Sequence, residues 1–166
     1  MTRPGLLSAL RGTGGLLIDT NLLVPLIAGS VNLNRVENFK RTRKYNRADF
    51  NLLLRVIDKF KPLYTLAHVM AEVSNLTDLT GLERMRALQT LKSLLTILKE
   101  PVMASLQAAQ NKSYGAHGLV DAAIASLASD TKCTVLTDDL DLYLALSREG
   151  IEVLNFTHLQ AREWGV

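Results

Sequence analysis

The sequence predicts an α/β domain, a parallel sheet wrapped on both faces by helices. The short continuous apolar run LLI before Asp19 and the short, β-branched TVLT at 134–137 read as strands buried on both sides. Between them, apolar residues recur at helical spacing, as in Phe50, Leu53, Leu54 and Ile57. Strands that alternate with helices of this kind pair in parallel, because each crossover returns the chain to the same end of the sheet. With 166 residues, 48% of them hydrophobic, the chain is long enough for one core that buries roughly 70% of its unfolded surface. We expect residues 1–14 to form a loose N-terminal tail and residues 15–166 a single domain.

Taken in order, GLLIDTNLLV reads as a strand ending at Asp19, followed by a helix over about Asn21–Ala28 for which Asp19-Thr20-Asn21 offers capping chemistry. Asn46 and Asp49 are spaced as a capping box at the start of a second helix that Pro62 terminates. Leu63–Thr65 is a second strand. Helical patterns follow over Leu66–Leu76, Leu82–Leu98 and Ala104–Gln110, with Pro101 ending the middle one. After a loop through Gly115 and Gly118, the Ala-rich Leu119–Ser129 places Val120, Ile124 and Leu127 on one buried face. Thr134–Thr137 is the third strand, Asp138–Arg148 a helix ended by Gly150, and Ile151–Phe156 the last strand.

Composition removes several function classes. A charged fraction of 21% with positive mean hydropathy excludes a disordered chain. A single cysteine, Cys133, excludes a disulfide framework and a cysteine-built zinc or iron–sulfur site, and three dispersed histidines argue against a His-only metal site. The apolar runs are about seven residues, far short of the roughly 20 a membrane-spanning helix needs, so a cytoplasmic location is expected. The net charge of +3 is uneven. Arg35, Lys40, Arg41, Arg43, Lys44 and Arg47 face only Glu37 between Asn34 and Arg47, which gives that segment +5 and leaves −2 elsewhere. Such a segment is either a solvated loop or the contact for an anionic partner such as nucleic acid. Tyr45 and Phe39, interleaved with the cations, are candidates for stacking on bases, although Phe39 also suits a core anchor.

Acids at four places stand out. Asp19 and the pair Asp138/Asp139 follow strands, which places them on one rim of the sheet, where open α/β sheets bind ligands. Asp121 lies in the first turn of the Ala-rich helix, and Glu72 is mid-helix among Val69, Met70, Val73 and Leu76. Three have a plain structural role available: Asp19 and Asp138 as helix caps, Glu72 as a solvent-facing acid. If they converge, two carboxylates about 4 Å apart repel by about 4 kcal/mol at an effective dielectric near 20. Raised pKa values or a hard, oxygen-binding cation would relieve that repulsion. Mg²⁺ or Mn²⁺ suits such a donor set and would activate water against a phosphodiester.

LLIDTNLLV, LAHVMAEVSNL, GLVDAAIASLA and TVLTDDLDLYL, in that order, resemble the PIN-domain ribonucleases, including the toxin-type members. The resemblance runs from about Gly15 to Phe156. It implies a three-layer α/β/α sandwich with a central parallel sheet of four to five strands. By position, Asp19, Glu72, Asp121 and Asp139 match the family's four catalytic, metal-binding acids, with Asp138 and Asp141 as neighbouring alternatives to Asp139. Asn21 and Thr137 match the supporting positions behind them. The resemblance implies hydrolysis of single-stranded RNA by water activated between carboxylate-held Mg²⁺ or Mn²⁺ ions, with structured RNA as a further substrate. Arg41, Arg43, Lys44 and Arg47 are the expected RNA contacts. The toxin-type members add an antitoxin protein as a candidate partner, and the apolar helix at Leu82–Leu98 is a candidate homodimer face.

Rival chemistries fit less well. A phosphatase forming an aspartyl-phosphate needs a second Asp where Asn21 stands. A dinucleotide site needs glycines after the first strand, whereas Gly12, Gly14 and Gly15 precede it. No G-x-S-x-G elbow occurs. A non-catalytic RNA-binding module on the same fold remains the alternative from a different class. His68, four residues before Glu72, shares its helix face and is a secondary candidate.

Overall fold

The first strand, β1 (Leu16–Ile18), is almost wholly enclosed, with no residue more than 3% exposed, as its unbroken apolar run requires. The computed structural model describes Leu10 and residues 14–165; most of the expected N-terminal tail lies outside the described residues. Gly15, just before β1, has a φ of +89°, and a β-carbon there would fall 2.4 Å from the Pro62 carbonyl oxygen. That close approach lets the Leu16 amide donate to the same oxygen at 2.9 Å and start the pairing with β2 (Leu63–Tyr64).

Four strands form one all-parallel sheet in the order β2-β1-β3-β4, with β3 at Thr134–Thr137 and β4 at Val153–Asn155. Leu17 pairs with Tyr64 on one side and Val135 on the other, and Leu136 pairs with Leu154. Helices flank this sheet in the three-layer α/β/α arrangement. The chain moves outward from β1 to β2 and then crosses to the opposite side of β1 to lay down β3. The order of strands therefore reverses between β1 and β3, where ligands of such sheets bind.

Helix α1 (Thr20–Val31) follows β1 and is buried from Leu22 to Gly29. Its Gly29 lies so close to α3 (Arg47–Ile57) that a β-carbon would come 2.5 Å from the Phe50 ring. Between them a short helix, α2 (Arg35–Asn38), occupies the basic segment, which the charge pattern alone would leave as a loop. Val36 and Phe39, spaced for one face and both buried, pin it to the core, and Thr42 is buried beside them. Asn46 and Asp49 form the capping box that opens α3: each side chain accepts the other's amide at 2.9 Å.

Beyond β2 come α4 (Ala67–Leu76), α5 (Gly81–Leu95), α6 (Ser105–Ala109), α7 (Tyr114–His117) and α8 (Leu119–Thr131). Helix α5 stops at Leu95 rather than Leu98. The following turn sends Lys99 alongside Tyr64, where its amide and carbonyl bond Leu63 and Thr65 at the open edge of the sheet. Only Ala87 of α5 is buried, and Leu82, Met85 and Leu88 are exposed. After β3, α9 (Leu140–Arg148) begins later than the sequence suggests, because Asp139 and not Asp138 caps it. The last strand is also shorter than Ile151–Phe156: Asn155 accepts the His158 amide at 3.3 Å and starts α10 (Phe156–Trp164), a helix the sequence reading does not contain.

Replacing Gly29 by Ala should lower stability by about 1–3 kcal/mol, since the new methyl would overlap the rings and branches of Phe50 and Val36 in a filled core. Gly115→Ala, which meets nothing within 4 Å, should leave the melting temperature unchanged or slightly raised. Thermal denaturation of the two variants side by side checks the packing.

Candidate active site

Asp19 occupies the position after β1, and its amide donates to the Leu136 carbonyl at 2.9 Å, which extends the β1–β3 ladder by one residue and fixes Asp19 on the rim. It stands at the N-cap of α1, yet its carboxylate makes no capping bond. Instead, Oδ2 accepts the Thr137 hydroxyl at 2.8 Å. The same Thr137 oxygen accepts the Asp139 amide at 3.0 Å, so one side chain at the end of β3 orders both strand-end acids. Asp139 in turn caps α9 through Oδ1 alone, taking the Asp141 amide at 2.8 Å and the Leu142 amide at 3.1 Å. Its Oδ2 is left to the cleft.

Glu72, midway along α4, turns toward the rim, where Oε2 accepts the Thr20 hydroxyl at 2.7 Å. Asp121 enters from the first turn of α8 behind Gly118, whose φ of +85° redirects the chain into the helix. Asp19, Thr20, Asn21, Glu72, His117, Gly118, Asp121 and Asp139 line one cleft of about 390 Å³. The four acids that were widely separated in sequence therefore face a common space, and no Lys or Arg is among the described residues lining it.

The electrostatics follow. Burial raises the Asp19 pKa to about 7; the Thr137 hydrogen bond opposes the rise, and Asp121 and Asp138 add to it. Asp121 is raised to about 6 by burial and by Asp139 and Glu72, with His117 acting the other way. Burial is the larger cause in both, and the neighbouring carboxylates add to it. Among the described residues, no three His, Cys, Asp or Glu side chains are already drawn together as a metal cage. The donor chemistry nevertheless fits a hard divalent cation: carboxylate oxygens, an Asp139 oxygen unused by its cap, and repulsion that a cation would relieve.

Asp138 has a different place. Its side chain is 4% exposed and Oδ2 meets Lys44 Nζ at 2.5 Å and the Tyr45 hydroxyl, away from the cleft lining. Tyr45 is buried, with its ring edge against Phe156, so it is not free to stack on a base, and burial beside Asp138 raises its phenol pKa. Phe39 is a core residue. Asp141 is exposed on α9. The His68 ring meets Ser105 Oγ at 3.1 Å rather than Glu72.

Most of the basic segment is also engaged. Arg35 pairs with Glu83 at 2.6 Å, and Lys40 and Arg41 share Asp78 at 2.8 and 3.2 Å. The Arg47 guanidinium donates to Asn34, while Arg43 is exposed with no acidic partner among the described residues. Thr20, His117 and Lys40 were not singled out by the sequence reading as site residues. Thr20 had a signal in its place between Asp19 and Asn21, whereas His117 reaches the cleft only through the turn at Gly118.

The central strands of the parallel sheet thus end in carboxylates, and two helices deliver further acids to the same rim. A family model described as PIN domain matches residues 16–145, and the chain belongs to that family. PIN domains are generally nucleases and typically use divalent metal ions. No curated protein and no solved structure matched. Among the described residues no helix is long and apolar enough to cross a membrane.

Two consequences are measurable. The folded chain keeps the Asp19 proton up to about pH 7, whereas the unfolded chain releases it near 3.8. The folded state thus binds more protons across that window, and metal-free stability should fall as pH rises through it, by up to about 4 kcal/mol at about 1.4 kcal/mol per unit. Asp19→Asn should flatten the fall in chemical denaturation. Tyr45→Phe, which removes one donor from the enclosed Asp138 carboxylate, should cost about 1–3 kcal/mol in the same measurement.

Proposed function

We propose that this PIN domain is a metal-dependent endoribonuclease that hydrolyses phosphodiester bonds in single-stranded RNA, with Asp19, Glu72, Asp121 and Asp139 as its catalytic acids. The observation that supports this reading is the shared cleft: four carboxylates from two strand ends and two helices line it, with no cationic side chain among the described residues to neutralise them. Asp19, Asp121 and Asp139, with Glu72, are the side chains that would hold Mg²⁺ or Mn²⁺. A bound divalent ion supplies a water of lowered pKa and a counter-charge for the phosphodiester transition state.

The chain's own contribution is positioning. Thr137 donates to Asp19 and accepts from the Asp139 amide, so the two rim acids move as one unit. Thr20 restrains Glu72 from the opposite wall, and the α9 cap holds one Asp139 oxygen while leaving the other for a ligand. Asn21, exposed and part of the cleft lining, would donate to a phosphate oxygen through its side-chain amide. Side chains fixed in this way lose little freedom when substrate binds, which is where catalysts of this kind draw much of their rate.

The test is cleavage of a single-stranded RNA oligonucleotide. Activity should require Mg²⁺ or Mn²⁺, vanish with chelator, and fall at least about 100-fold in Asp121→Asn. The same ions should raise the melting temperature of the wild type and not of Asp19→Asn or Asp121→Asn. RNA binding without cleavage, indifferent to metal and to both substitutions, would identify a binding module instead.

A further inference from the structure

Beside the acidic cleft lies a second one of about 450 Å³, lined by Asn21, Val24, Lys40, Arg41 and Leu76. Asn21 lines both, so the two adjoin at a single residue. Both cations of this lining bind Asp78, which is not itself a lining residue: Lys40 Nζ lies 2.8 Å from Asp78 Oδ2, and Arg41 Nε lies 3.2 Å from Asp78 Oδ1. Two cations thus grip the two oxygens of one carboxylate. The two non-bridging oxygens of a phosphodiester present the same arrangement of acceptors.

We propose that Lys40 and Arg41, with Asn21, form a phosphate-binding subsite for single-stranded nucleic acid, its two cations held by Asp78 until a phosphate of the strand draws them away. The proposal rests on reading the neighbouring acidic cleft as the place of cleavage, since it seats the next phosphate along the backbone. The exchange is energetically easy. The Lys40, Arg41 and Asp78 side chains are 64, 38 and 36% exposed, and ion pairs this open to water are weak. Lys40 and Arg41 in turn hold the Asp78 pKa down to about 2. Val24 and Leu76 add an apolar wall against which a sugar can pack. The other cations of the segment line neither cleft. Arg35 and Lys44 are committed to Glu83 and Asp138. Of the expected contacts Arg41, Arg43, Lys44 and Arg47, the subsite takes in Arg41, and it adds Lys40.

Fluorescence anisotropy with a labelled single-stranded RNA of about 12 nucleotides, and with DNA of the same sequence, tests this in chelator, where cleavage plays no part. Replacing both Lys40 and Arg41 by Gln should weaken binding of RNA and DNA alike, about tenfold at low salt, and reduce the salt slope by about 1.4. Lys40→Gln alone, at a side chain bonded only to Asp78 among the described residues, should give about half that change with an unaltered melting temperature. Asp78→Asn should tighten binding about threefold by releasing both cations. If the pairs merely anchor the segment, Asp78→Asn will weaken binding or leave it unchanged, and that result overturns the subsite, as does an unaltered salt slope. A chain that binds as described but never cleaves would refute the nuclease reading alone. Retained cleavage with unchanged binding in the Lys40 and Arg41 variants would remove the subsite alone.

Discussion

Asp19 sits 5% exposed at the end of an interior strand, and the Thr137 hydroxyl, 2.8 Å away, is the hydrogen-bond donor its side chain receives. A hydroxyl has one proton to give, so once it is committed to Asp19 its lone pairs turn to the Asp139 amide. That single side chain sets the geometry of both strand-end acids. It requires β1 and β3 to be neighbours in a fixed register, because a one-residue slip would turn Thr137 to the opposite face of the sheet. The order β2-β1-β3-β4 is therefore more than a way to bury Leu17 and Leu136: it brings two chain segments over a hundred residues apart into hydrogen-bond distance.

Holding such a site open opposes folding. Asp19 and Asp121 carry pKa values of about 7 and 6, so at neutral pH the chain keeps carboxylates near one another that would be better solvated apart. The compensation comes from the layers behind the rim. Leu16, Leu17, Leu22, Ile27, Ile124 and Leu136 are all enclosed, and the removal of that apolar surface from water is the term that holds the acids in place. The interior thus tolerates at one edge an electrostatic arrangement that a smaller core would relax.

Much of this was legible in the sequence. The runs LLI and TVLT and the helical spacing between them specify a parallel α/β sheet, and an acid directly after a strand can only emerge on its C-terminal rim. Glu72 was visible as a carboxylate among apolar neighbours, a position that demands a partner, and Thr20 is that partner. What periodicity does not encode is where two polar groups meet across the fold. Asp138 and Asp139 are adjacent and chemically identical, and only the backbone turn after β3 sends one into the cleft and the other to Lys44 and Tyr45. The same holds for α10, where Asn155 ends the strand by accepting the His158 amide, a choice between strand and cap that local composition leaves open.

The basic segment shows how a run of like charges becomes an ordered part of a fold. Val36, Phe39, Thr42 and Tyr45 recur every third residue and are all buried, so the cations between them are displayed outward from a segment that is itself part of the core. Acids from three other parts of the chain, Glu83, Asp78 and Asp138, then fix its direction. The partners differ in kind. Asp138 is enclosed, and removing its cation would strand a charge, so Lys44 works as a permanent strap. Asp78 is open to water and loses little when its cations are taken by another anion. Burial of the acid, rather than the number of positive charges, separates the residues that hold the segment to the body from those with charge to spare for a ligand.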